Sequence, residues 1–350
     1  MKRLFVIGFI LILASIACVA VLPKTPKATE MPIATDTASA VIVEAESTQT
    51  PRPTPIPITC SNDSCLNACL SRINTTLETH QFESLGGDYA GTGANLNLVV
   101  YKVENGKLSA PDILYAPKEF KPFQEDLQAQ ELVWKYASSL LPPKQLKLIT
   151  EYDIFTDGSA NTLAWVSVRN DLDRSRWQLG VDIADAENPI DLTYTLIHEY
   201  GHLISLNSDQ ISQTNYYYGW DQNPATCQQF NSPEGCSKPD SYINYFYQKF
   251  WAIFFDEWRK TVEKPQVKSD DEFRALVHDF YSKHEEQFVR EYAATNIRED
   301  LAESFMHFVL EPKPTGKSIV DQKILFFYSF PELVAMRQQM IQNVCSYIQE

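Results

Sequence analysis

The pentapeptide His198-Glu199-Tyr200-Gly201-His202 sets two imidazoles four positions apart. On an α-helix that interval turns both rings to one face, where their nitrogens can converge on a single metal ion. Glu199 follows the first histidine directly, so its carboxylate projects beside the shared face and can act as a base on water without becoming a ligand. The surrounding apolar positions Leu192, Leu196, Ile197, Leu203 and Leu206 have helical spacing, and Asp191 is placed to cap the helix. Two histidines do not complete a catalytic site, which needs a third ligand and an open position. Ser205 and Ser208 stand where the extended metzincin motif requires glycine and a third histidine, so the third ligand must come from elsewhere.

A second helical run, Arg298-Glu299-Asp300-Leu301-Ala302-Glu303-Ser304, puts Glu299 and Glu303 on one face. Two like charges four positions apart are mildly unfavourable on a solvated helix. A metal with its imidazole would compensate both, with Glu299 at the metal and Glu303 behind it; the plainer reading is an ordinary polar helix face. Tyr292 lies two helical turns before Glu299, so its phenol enters the same cleft if the helix extends that far, and otherwise it packs as a core aromatic.

The stretch Glu291-Tyr292-Ala293-Ala294-Thr295-Asn296-Ile297-Arg298-Glu299-Asp300-Leu301-Ala302-Glu303, taken with His198 to His202, resembles the catalytic-domain signature of the anthrax lethal factor family of gluzincin-type zinc metallopeptidases. The resemblance implies a zincin-like fold with Zn2+ held by His198, His202 and Glu299. It further implies Glu199 as catalytic base, Tyr292 as donor on the oxyanion side and Glu303 supporting a ligand histidine. It covers residues 145–345, with firm matching confined to the two blocks. A long insertion between His202 and Glu299 departs from a bare catalytic core, so no family member's protein target carries over. The expected function is zinc-dependent endopeptidase activity on a peptide or protein substrate. The alternative is an exported noncatalytic binding or structural domain on the same scaffold.

The elements that must position these residues are legible in outline. Helical spacing covers 117–141, stopped by Pro142-Pro143, after a short helix over 71–85 and glycine turns at 86–93. Short β-branched and aromatic segments at 146–155, 162–168 and 177–183 predict a small, mostly antiparallel sheet, with the polar run 169–176 separating the last two. Aromatic residues over Tyr216 to Trp220 and Ser241 to Trp258 read as packing or a cleft wall, the latter as a buried amphipathic helix. Residues 320–344 are helical, interrupted near Pro331. The expected architecture is α+β: a zincin-like metallopeptidase fold with the sheet before the His-Glu helix and a predominantly helical C-terminal lobe. His80, His278, His284 and His307 share no ligand spacing and read as surface or packing residues.

Of the 350 residues, 30 are Lys or Arg and 45 Asp or Glu, a formal charge of -15 that argues against nucleic acid as a partner. Lys2 and Arg3 precede an apolar stretch to Leu22, the form of an export signal over residues 1–22. Three outcomes stay open: cleavage and secretion, an uncleaved span of about 20 residues, or lipidation at Cys18. Ser15-Ile16-Ala17-Cys18 resembles the bacterial lipoprotein box, with Ser15 in place of the usual leucine. Residues 23–59 form a Thr/Pro-rich tether, and 60–350 form the metallopeptidase region, exported to the cell surface or beyond. Seven cysteines less Cys18 leave 60, 65, 69, 227, 236 and 345, which can pair fully in an oxidising compartment. Cys227 with Cys236 is the expected bridge around a surface loop. The 60, 65 and 69 group reads as disulfide or, less simply, as a metal knuckle.

Overall fold

The computed structural model describes residues 56–79, 95–158, 162–171, 173–212 and 219–348, all within one compact unit, Pro53–Glu350. The export segment, Cys18, most of the tether, His80, the glycine turns at 86–93 and Tyr216-Tyr217-Tyr218 lie outside the described residues.

Helix α1 (Asp63–Thr79) precedes strands β1 (Leu96–Glu104), β2 (Lys107–Leu108) and β3 (Asp112–Ile113). The helix expected over 117–141 is divided into a 3-10 turn, α2 (Lys121–Glu125) and α3 (Leu127–Leu140). Asp126 makes the break: its backbone leaves the helical region and its carboxylate caps α3 by accepting from the Ala129 N–H at 2.9 Å. A short α4 (Pro143–Leu146) leads into β4 (Ile149–Thr156), β5 (Ala164–Asn170) and β6 (Asp173–Asp182). The polar run 169–176 is mostly strand rather than connector, because Asn170 opposes Asp173 in a β5–β6 hairpin whose end faces solvent.

These strands form a sheet ordered β2-β1-β4-β6-β5, with β3 also on β1. Pairing is antiparallel except between β4 and β6, which run parallel. Leu98, Val99, Tyr152, Ile154, Leu179 and Val181 are buried in the core. The architecture is mixed α+β, with a modest, mostly antiparallel sheet and a helix-rich C-terminal region.

Beyond the sheet come α5 (Thr193–Leu206), the two-residue strands β7 (Asn231–Ser232) and β8 (Gly235–Cys236), α6 (Tyr242–Phe246) and α7 (Phe255–Trp258). Then follow α8 (Asp270–Lys283), α9 (Ile297–Leu310), α10 (Ile319–Phe327) and α11 (Pro331–Tyr347). Asp191 does not cap the His-Glu helix. It lies inside a 3-10 turn, Pro189–Leu192, started by the Asn188 side chain. The single helix expected over 241–258 is instead α6 and α7 joined through a π-turn at Tyr247–Trp251. Phe246, Phe250, Trp251, Phe254, Phe255 and Trp258 are nonetheless buried, as an amphipathic reading requires. No helix of the described residues is long and apolar enough to cross a membrane.

Three disulfides pin the fold: Cys60–Cys65, Cys69–Cys345 and Cys227–Cys236. The metal-knuckle alternative for Cys60, Cys65 and Cys69 is thereby excluded, since every thiol of the trio is bonded to sulfur. Cys69–Cys345 joins α1 to α11 and closes the chain on itself. His278 and His307 face Glu291 and Glu311, and His284 stacks on Phe254, in keeping with surface or packing roles.

One ion pair lies wholly inside the helical region. Lys323 of α10 and Asp300 of α9 are both fully buried and paired, with Trp251 Nε1 donating to the same carboxylate at 2.7 Å. Removing one member strands the other in a low-dielectric interior. Lys323→Met is therefore expected to cost about 3–5 kcal/mol in denaturant unfolding, against near-neutral effects for exposed lysines such as Lys144.

Candidate metal centre

Helices α5 and α9 meet at Gly201. A methyl group added there would lie 2.8 Å from Ala302 Cα, closer than carbon atoms pack, so glycine is what lets the two backbones approach. From the other side α3 holds α5, through Tyr200 Oη donating to the Ala137 carbonyl at 2.8 Å and a 2.5 Å bond between the Tyr136 and Thr193 hydroxyls. Asn296 starts α9 in an extended conformation, and its Oδ1 accepts from the N–H groups of Arg298 (2.9 Å) and Glu299 (3.2 Å). That cap fixes the first turn, where Glu299 projects.

The result is a three-way convergence. Glu299 Oε2 is 3.2 Å from His198 Nε2 and 3.2 Å from His202 Nε2, and those two nitrogens are 3.2 Å apart. His198, His202 and Glu299 form one of two groups of donors able to hold a metal ion among the described residues; the other is Asp157, Asp182 and Asp185. Two imidazole nitrogens and one carboxylate oxygen at mutual hydrogen-bond distance fit a divalent metal.

Glu303 is fully buried behind this cluster. Its Oε1 lies 2.6 Å from His198 Nδ1, although alignment falls short of an ideal hydrogen bond, and Arg290 grips both of its oxygens. Of the two histidines allowed by sequence, the contact is thus with His198. Burial alone would raise the Glu303 pKa, but His198 and Arg290 outweigh it and hold the carboxyl down at about 2. Burial likewise disfavours a charged His198, yet Glu303 and Glu299 overcome it and push that imidazole up to about 10 in the metal-free protein. For Glu299 too the carboxylate form prevails over burial, through His202 and His198.

Glu199 sits beside these groups, only partly buried, and its Oε2 accepts from the Val166 N–H of β5 at 2.9 Å. Burial raises its pKa, with Glu299 adding to the rise and both histidines opposing it. Tyr292 is not on the helix that carries Glu299: the extended backbone of Asn296 separates α9 from a 3-10 turn, Glu291–Thr295. The turn still brings the phenol to the cluster, its ring 5.8 Å from that of His198. Burial and the carboxylates of Glu299, Glu199 and Glu303 keep the phenol protonated far above its ordinary range.

All six residues singled out by sequence are therefore brought together. Two participants were missed. Arg290 clamps Glu303 from outside any helical repeat, so no periodicity announces it. Glu234, inside the Cys227–Cys236 loop, pairs with Arg298, whose guanidinium lies 5.2 Å from the Trp220 ring centre. The disulfide loop is thus fastened to the residue adjoining Glu299.

Comparisons of the chain with protein-family models, curated proteins and solved structures find no match.

Two outcomes follow from this geometry. Gly201→Ala must part α5 from α9, and so is expected to lower bound metal per chain by elemental analysis while far-ultraviolet circular dichroism stays near wild type. In chelator-treated protein, a His198 pKa raised from its ordinary value to about 10 contributes stability that is present below pH ~6.5 and lost as pH climbs through 10. The melting-temperature advantage of wild type over His198→Gln should accordingly be largest near pH 6 and shrink toward pH 10.

Proposed function

We propose that this chain is a zinc-dependent endopeptidase on a zincin-like fold, a gluzincin resembling the anthrax lethal factor catalytic-domain family. The observation that carries this reading is the placement of Glu299 against both His198 and His202, with Glu199 beside them on the histidine helix. In this reading His198, His202 and Glu299 hold zinc. Zinc, when bound, supplies Lewis acidity toward a water and the scissile carbonyl.

The chain's own residues perform the proton work. Glu199 takes a proton from water and delivers it to the departing amine, a cycle suited to a carboxyl whose burial lifts its pKa toward the working range. Tyr292, kept protonated, donates toward the oxygen that becomes negative during attack. Glu303, whose Oε1 lies 2.6 Å from His198 Nδ1, would brace the ring with Nε2 toward a bound metal, and His198 and Arg290 keep Glu303 ionised for that task.

The disulfides suit an oxidising compartment, in line with export and with secretion, an uncleaved N-terminal span or anchoring through Cys18. The substrate class is peptide or protein.

Glu199→Gln is expected to retain zinc at the wild-type stoichiometry and to lose cleavage of a proteome-derived peptide mixture by about 10²–10⁴-fold. Undiminished cleavage by that variant, free of contaminating protease, would remove Glu199 from its role.

A further inference from the structure

The parallel pairing of β4 and β6 sets Phe155 opposite Asp182, so the chain leaves both strands at the same end of the sheet. There Asp157, Asp182 and Asp185 each offer an oxygen, all lying within 4.8 Å of one another. Asp182 is fully buried; its Oδ2 accepts from the Asp157 N–H and its Oδ1 from the Ala184 N–H, both at 2.8 Å. Asp157 is 6% exposed and uses Oδ2 to accept from the Thr162 N–H at 3.0 Å. Its Oδ1 is buried with no hydrogen-bond partner among the described residues. Asp185 is exposed and forms the rim.

Three carboxylates this close repel one another, and an unsatisfied buried carboxylate oxygen adds a desolvation cost. A salt bridge would be the usual remedy. Yet among the described residues the influences on Asp182 and Asp185 are burial, hydrogen bonds and neighbouring carboxylates, with no lysine, arginine or histidine among them. Oxygen-only donors favour a hard cation over zinc. Donors up to 4.8 Å apart can surround an ion at the bond lengths of about 2.3–2.6 Å that calcium takes, and the exposure of Asp185 puts this donor where solvent can supply the remaining ligands.

We propose that Asp157, Asp182 and Asp185 form a calcium-class divalent-cation site, separate from the His198–His202–Glu299 cluster. Its place gives it a consequence for that cluster. Asp157 holds the Thr162 N–H just before β5 begins, and β5 carries the Val166 N–H that holds Glu199. An ion on Asp157 stiffens the entry to the strand that positions Glu199.

The test is calorimetric titration of calcium chloride into the chelator-treated full chain at physiological ionic strength, with thermal melts run in parallel. Wild type is expected to show one saturable site and a melting temperature raised by calcium. Asp157→Asn, and Asp185→Asn at the exposed rim where folding is not at stake, should each weaken calcium on the order of tenfold or more. Glu299→Gln, which alters the other cluster, should bind calcium like wild type. Absence of saturable binding in wild type, an unchanged isotherm in both aspartate variants, or loss of binding in Glu299→Gln would each overturn the proposal.

Discussion

The close approach of α5 and α9 at Gly201 and Ala302 is the contact on which the candidate metal centre rests. His198 and His202 come from one helix and Glu299 from the other, and side chains of fixed length can share an ion only if the axes stay near. The glycine of His198-Glu199-Tyr200-Gly201-His202 has no side chain with which to ligate. Its lack of a side chain brings the second helix within reach, and the buried Tyr200 beside it anchors the opposite side of the first helix to α3. The two residues between Glu199 and His202 therefore set the interhelical distance on one side and the helix position on the other.

Electrostatics then decide the state of what has been brought together. Glu299, Glu303 and Glu199 crowd two imidazoles, and burial opposes every charge among them. The arrangement separates their roles by partner. Glu303, with His198 and Arg290, stays ionised; Glu299 stays ionised between two rings; Glu199, which accepts a hydrogen bond from a neutral backbone amide, has its pKa raised. Three chemically identical carboxyls thus acquire two different proton affinities, as a site needs if one is to exchange protons while the others hold fixed positions.

The sequence exposed those parts of the site that obey a repeat. His198 with His202 and Glu299 with Glu303 follow the four-residue interval of a helix, and Glu199 follows from adjacency, so their grouping was legible before any coordinates. Tyr292 reaches the cluster although an extended Asn296 interrupts the helix on whose continuation the spacing argument depended. Arg290 and Glu234 act across tertiary contacts with no local period. In the fold, the helical C-terminal half and the sheet segments were readable, whereas β1 was not singled out and Asp126 split an expected helix. A capping aspartate and a continuing polar helix residue look alike until the backbone is seen. The hairpin at 169–176 was hidden similarly: solvent-facing strand ends carry the same polar residues as a loop.

The bond between Val166 N–H and Glu199 Oε2 joins the sheet to the candidate site. A carboxylate that must both take and give a proton works best with one oxygen fixed and the other facing the reacting atoms. The amide of β5 supplies that fixed point without adding a charge, so it orients Glu199 while leaving its proton affinity elevated. An arginine in the same place would orient the group equally well but hold it ionised, as Arg290 does for Glu303. The contrast between a neutral amide on Glu199 and an imidazole with a guanidinium on Glu303 accounts for why one carboxyl has its proton affinity raised and the other lowered.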